Sequence, residues 1–206
     1  IYRPCFRCPQ NCVPTVHTFE HHFHNRTDKF ALYQIIGTMA ANVAGEEMII
    51  RPLGGGQEVG RSCILLKYRE RQIMLDCGAH PGREGNDSLP FFDLIDNPEE
   101  IDLILITHFH IDHVAALPYF TEKTNFRGKV LMTHATKAVM KILLSDNIKL
   151  QSRSNMLYNE QDLQNCVEKI DTIDFHQTID FKGIKVSSLG ISRRTYSCIH
   201  VFLTTN

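Results

Sequence analysis

The sequence predicts an α/β layered domain, and three observations carry that expectation. Short apolar runs of strand length alternate with segments of helical periodicity. One run, "IDLILIT" at 101–107, is almost continuously aliphatic, as expected of a strand covered on both faces. Two further runs, at 63–68 and 72–77, meet across "YRER" at 68–71, which reads as a hairpin turn. A chain of 206 residues, 43% hydrophobic and 22% charged, is long enough for one such domain with a sizeable core.

The elements follow in order. Residues 1–38 carry three prolines, three cysteines and a histidine cluster without sustained periodicity, and are expected to be a disordered or non-homologous leader. Met39 is the first methionine and looks like a natural start for the domain. From Met48 the apolar pattern sharpens, with strands expected at 48–53, 63–68 and 72–77. Residues 78–100 are rich in Gly, Pro, Asn and Asp and are expected to form a long loop of functional character. Strands follow at 101–107 and 129–133. Val139, Ile142, Leu143 and Ile148 then fall near helical spacing, which places a helix start close to His134. Asn159 is a good N-cap for a second helix over 160–168. Strands are expected again in "KIDTIDF", "QTIDF" and "IKVSSL".

Charge narrows the partners little. A formal net charge of −1 gives no bulk attraction to nucleic acid, so any such partner would have to be met by a local patch. No stretch approaches the roughly 18–20 apolar residues of a membrane span, and no membrane partner is expected. Of the seven cysteines three crowd into the first twelve residues; the other four, Cys63, Cys77, Cys166 and Cys198, follow no disulfide-scaffold spacing and are expected to be reduced thiols. Cys5, Cys8 and Cys12 precede His17 and His21, but the Cys8–His17 gap holds fewer residues than the roughly twelve of a common zinc finger.

The strongest chemical signal is "HFHIDH" at the end of the 101–107 strand. In extended chain, residues i and i+2 point the same way, so His108 and His110 can bring their imidazoles to one point. Asp112 and His113 follow where the chain curls toward a helix, and can face a neighbouring point. Imidazole and carboxylate are ligands that zinc takes at about 2.0–2.2 Å. Two ligand pairs in one short loop suit two ions about 3.5–4 Å apart. Asp76 ends another strand; it either holds a ligating histidine by its second ring nitrogen or simply forms the turn before Cys77 and Gly78. His80 either lines the site or is an ordinary loop residue. His134, between strand and helix, contacts substrate or caps the turn. "PLGGGQEVGRSC" lacks the Gly-Lys-Ser/Thr ending of a P-loop, and tight turning beside an active site accounts better for its glycines.

"LDCG" followed by "THFHIDH" resembles the metallo-β-lactamase fold. The flanking stretches "IRPLGGGQEVGRSCILL", "IMLDCGAHPGREGNDSLPFFDLID", "ITHFHIDHVAALPYF" and "FRGKVLMTHATKAVMKILLSD" are similar to the β-CASP nucleases that cut pre-mRNA at its 3′ end. The likeness runs from about Met48 to about Val186. It implies a four-layer αββα domain with two zinc ions between its sheets, His108 and His110 on one zinc and Asp112 and His113 on the other. Asp76 becomes a catalytic support residue beside Asp112, with His80 and His134 at substrate or around the ligands. The implied reaction is attack of a metal-activated hydroxide on an RNA phosphodiester. The implied partners are pre-mRNA and the other subunits of the cleavage and polyadenylation complex, and the implied location is the nucleus.

The resemblance also implies ligands that this chain does not present. The family's next histidine belongs in a segment like Tyr-His-Ala-Gly-His soon after "FKGIKV", where this chain reads "SSLGISRRTYSCIHVFLTTN" with Arg193 near the ligand position. Residues 39–186 are therefore expected to be an incomplete N-terminal part of the domain, and 187–206 an aberrant tail arising at a faulty junction. Four ligands shared by two zincs leave each short of the usual four. The expectation is weak or single-zinc binding with little nuclease activity, and a second sheet short of strands with an open edge. Two other readings fit the motif: another hydrolase of the same fold, and a catalytically inactive scaffold of the processing complex.

Overall fold

In the computed structural model the described residues are 39–43, 46–150, 156–189 and 198–201. They form a seven-stranded sheet in strictly sequential order, β1 to β7, and a three-stranded sheet ordered β10-β9-β8. The leader, Arg193 and most of the expected tail lie outside the described residues.

Four antiparallel strands open the large sheet: β1 (Met39–Val43), β2 (Glu46–Gly54), β3 (Cys63–Tyr68) and β4 (Arg71–Leu75). The β3–β4 hairpin closes through Arg69 and Glu70, both at positive φ, the backbone twist that a two-residue hairpin turn requires. The sheet then turns parallel through β5 (Ile101–Leu105), β6 (Lys129–Thr133) and β7 (Ile170–Ile173). Parallel strands need crossover connections, and helices supply them between β5, β6 and β7. These are α1 (Ile111–Val114), α2 (Leu117–Lys123), α3 (His134–Leu150) and α4 (Glu160–Glu168). β8 (Thr178–Phe181), β9 (Ile184–Leu189) and β10 (Cys198–Val201) make the second, antiparallel sheet.

The core centres on β5. Ile101, Leu103, Ile104 and Leu105 are all at most 1% exposed, so both faces of this strand are covered, as its aliphatic run predicts. Ile179, Phe181 and Val186 of the second sheet join the same cluster. The two sheets, with helices joining the parallel strands, make the mixed α/β domain that the alternation of apolar runs predicts.

Several expectations need correction. β4 and β5 stop at residues 75 and 105, two short of the expected ends; Asp76 takes a left-handed φ of 60°, and only single bonds continue the ladder, from Asp76 N–H to Leu105 O and from Ile106 N–H to Leu131 O. The 78–100 loop contains three short 3₁₀ turns, at Gly85–Ser88, Phe92–Leu94 and Pro98–Glu100, the last capped by Asn97. α3 begins at His134 as expected, but it buries a different stripe. Thr136, Met140, Leu144 and Ile148 face inward at a spacing of four, while Ile142 is 73% exposed and Val139 partly so. Thr136 can lie in the core because its hydroxyl pairs with that of Thr133 at 3.0 Å. β10 falls within the expected tail and pairs with β9 all the same.

Candidate metal centre

The predicted cluster sits beyond the C-terminal ends of the parallel strands β4 and β5. What places it there is a seam of backbone hydrogen bonds between residues 77–79 and the 111–116 segment. Cys77 N–H donates to His113 O at 2.9 Å, Ala79 N–H to Ile111 O at 3.0 Å, and Ala116 N–H to Cys77 O at 3.0 Å. Ser62, at the end of the glycine-rich stretch, donates its N–H to Asp112 O at 2.8 Å. Gly78 runs so close to this seam that an added Cβ would overlap the Asp112 carbonyl oxygen. No other residue type fits there. The Gly-rich segment thus serves as close-packed backbone beside the site.

The four motif side chains converge. His108 Nε2 is 3.0 Å from His110 Nδ1, and His113 Nε2 is 3.5 Å from Asp112 Oδ2. The His108 ring lies 4.6 Å from that of His110 and 4.1 Å from that of His113, centroid to centroid. Asp76 lies beneath, buried, with Oδ2 2.7 Å from His113 Nδ1. The contact leaves His113 Nε2 as the ring's outward nitrogen. Burial pushes the His113 pKa down, yet the Asp76 hydrogen bond and the charges of Asp76 and Asp112 outweigh it and hold the imidazole above its usual value. His108 goes the other way: burial first, then the neighbouring His113 and His110, lower it. Opposite shifts on adjacent rings are what a cluster built around one buried carboxylate produces.

The other two predicted residues do not join this cluster by any contact the structure shows. His80 accepts the Gly82 N–H on its own Nδ1 at 3.0 Å and flanks Gly60, closing its loop. His134, 68% exposed, points its Nε2 at Asp174, 3.5 Å away. The residue that sequence reasoning passed over is Thr107. Its N–H and hydroxyl both reach Asp76, at 2.8 and 2.9 Å, and its Oγ1 is 2.9 Å from His108 Nδ1. A hydroxyl directly before a histidine motif was the available signal.

Whether these donors fit a metal can be judged from their spacing. Two donors on one tetrahedral ion at about 2.0–2.2 Å lie roughly 3.3–3.6 Å apart. The two pairs, at 3.0 and 3.5 Å, sit close to that separation, and each pair mixes ligand types zinc accepts. They are nevertheless pairs: among the described residues no group of three or more His, Cys, Asp or Glu is placed to hold a metal ion. The chemistry fits, with two donors to each half of the site.

Residues 56–184 match the model of the metallo-beta-lactamase superfamily. The chain is 54% identical over 143 residues to cleavage and polyadenylation specificity factor subunit 3-I of Arabidopsis thaliana, covering 68% of this chain. It is 55% identical over 138 residues to cleavage and polyadenylation specificity factor 73 of Drosophila melanogaster, covering 66% of this chain. It is 47% identical over 150 residues to the endoribonuclease ysh1 of Schizosaccharomyces pombe, covering 72%. The matches span 20% of each of those relatives. A solved subclass B3 metallo-beta-lactamase from a soil metagenome library is similar at TM-score 0.47 and 16% identity, over 73% of this chain and 52% of that one.

Proposed function

The chain belongs to the metallo-beta-lactamase superfamily, and on that premise we propose that it carries the metal-binding part of a zinc-dependent RNA endonuclease acting on pre-mRNA 3′ ends before polyadenylation. The observation that carries the reading is the pairing of donors at the end of β5, His108 with His110 and Asp112 with His113, over one buried carboxylate. The similarity to cleavage and polyadenylation specificity factor subunits and to an endoribonuclease supports RNA as the substrate in this reading.

In this reading His108 and His110 would hold one zinc, and Asp112 and His113 would hold the other. Zinc, when bound, supplies a Lewis acid that activates water and offsets charge building on a phosphodiester. The chain's own residues do the rest. Asp76 fixes the His113 ring by taking its Nδ1–H, keeping Nε2 outward. The Cys77–Ala79 seam holds the Asp112–His113 backbone still, so the two pairs keep their separation. Pre-mRNA and the other subunits of the processing complex are the partners, and the nucleus is the place of action. With two donors per ion among the described residues, this chain would bind zinc weakly or at one position and cut RNA little by itself.

The absence of a three-donor group among the described residues favours a second reading, a scaffold that keeps the fold without the chemistry. A chimera separates the two. Residues 48–186 would replace the matching segment of the Drosophila relative, and cleavage of a labelled pre-mRNA 3′-end substrate would be followed. The endonuclease reading expects cleavage that His108→Ala abolishes. A chimera that folds, joins the complex and leaves RNA uncut would refute it in favour of the scaffold.

A further inference from the structure

We propose that Thr107 is a positioning residue that passes the orientation imposed by Asp76 on to His108, so that one buried carboxylate sets the ring nitrogens of two histidines. The inference rests on the metal reading for its purpose, though not for its geometry.

The direction of each hydrogen bond follows from what the groups can donate. Thr107 Oγ1 lies 2.9 Å from Asp76 Oδ1 and 3.0 Å from Oδ2. A carboxylate has no proton to give, so the single hydroxyl proton of Thr107 points at Asp76. Only lone pairs of Oγ1 then face His108 Nδ1, 2.9 Å away on the other side. For that contact to be a hydrogen bond, Nδ1 must carry the ring proton. His108 Nε2 is left unprotonated and aimed at His110. The reverse arrangement, with Thr107 donating to His108, would put oxygen lone pairs against a carboxylate at two short distances. Asp76 therefore governs His113 directly and His108 through one hydroxyl. The Thr107 N–H, bonded to Asp76 Oδ1 at 2.8 Å, anchors the relay to the backbone and remains when the side chain is changed.

Asp76 thus has a distinct contact for each histidine. Oδ2 takes the His113 Nδ1–H, while the Thr107 hydroxyl spans both oxygens. Both rings end with Nδ1 satisfied inward and Nε2 turned toward the neighbouring motif donor, His110 for His108 and Asp112 for His113, the orientation in which an imidazole can act as a ligand.

The test uses the metal-free, ¹⁵N-labelled chain and long-range nitrogen–proton correlation of the histidine rings. Wild type is expected to show His108 protonated on Nδ1, and Thr107→Ser to preserve it. Thr107→Val keeps the branched shape and the backbone bond but has no hydroxyl. It should move His108 to a mixture of tautomers while the His113 ring signals stay unchanged. Thr107→Ala reports the same loss should the valine variant not fold. In a second readout, zinc affinity is expected to fall about 10–100-fold in Thr107→Val and to recover in Thr107→Ser. A wild-type His108 protonated on Nε2, or one whose tautomer is unmoved when the hydroxyl is removed, would overturn the proposal. If wild type bound no zinc, the metal reading would fall, whereas the tautomer result would stand or fall separately.

Discussion

Two joints in this molecule connect segments far apart in sequence, and they are built in opposite ways. The seam under the candidate metal centre ties residues 62 and 77–79 to 111–116 with backbone hydrogen bonds. The strap between the sheets is a side-chain contact: Lys182, in the β8–β9 turn, reaches Asp102 of β5 at 2.6 Å and is half exposed. The seam fixes positions to within a hydrogen-bond length and tolerates no added atom at Gly78. The strap joins a long flexible side chain to a carboxylate near solvent, an arrangement worth little in stability. Precision is concentrated where the donors must meet, and the second sheet serves as cover for the core.

This contrast can be broken from either end. The largest effect is expected at the seam. Gly78→Ala forces a methyl into the Asp112 carbonyl and must separate the two segments. A loss on the order of 3 kcal/mol is expected, measured by denaturant unfolding, together with loss of zinc binding. A fully stable Gly78→Ala chain would mean the seam is softer than its hydrogen bonds imply.

The smaller effect belongs to the strap. Burial raises the Asp102 pKa, but the Lys182 hydrogen bond, the Gln72 N–H and the charges of Lys182 and Arg71 outweigh it and leave the carboxyl below its ordinary value. A carboxyl depressed on folding adds stability that is fully present above its unfolded pKa, near 3.9. That contribution is lost as pH falls through the lower folded value. Lys182→Met is therefore expected to cost under about 1 kcal/mol near neutral pH and to shift acid unfolding to a higher pH. An unchanged acid-unfolding profile would remove Asp102 from the account.

Much of this was legible in the residues, for reasons that differ by element. The β5 run announced a strand covered on both faces, and Ile101–Leu105 is one. Asn159 announced a helix start, which the reciprocal bonds between Asn159 and Asp162 complete as a capping box. The α2 helix went unread although Pro118 in its first turn is a start signal. The buried face of α3 was misread because aliphatic residues alone were counted, while Thr136 holds a core position through a hydroxyl pair that no periodicity reveals. At the site, the motif identified the donors but not their orientation. The hydrogen bonds of Thr107 and the close approach at Gly78 join residues about 30 positions apart, and only the folded chain brings those together.

The central claim is that His108, His110, Asp112 and His113 face common points as metal donors. Calorimetric titration of the 206-residue chain with zinc tests it most directly, comparing wild type with His108→Ala and His113→Ala. The account predicts measurable but weak or single-site binding in wild type that each substitution reduces at least tenfold. Zinc affinity and stoichiometry unchanged by both substitutions would contradict it.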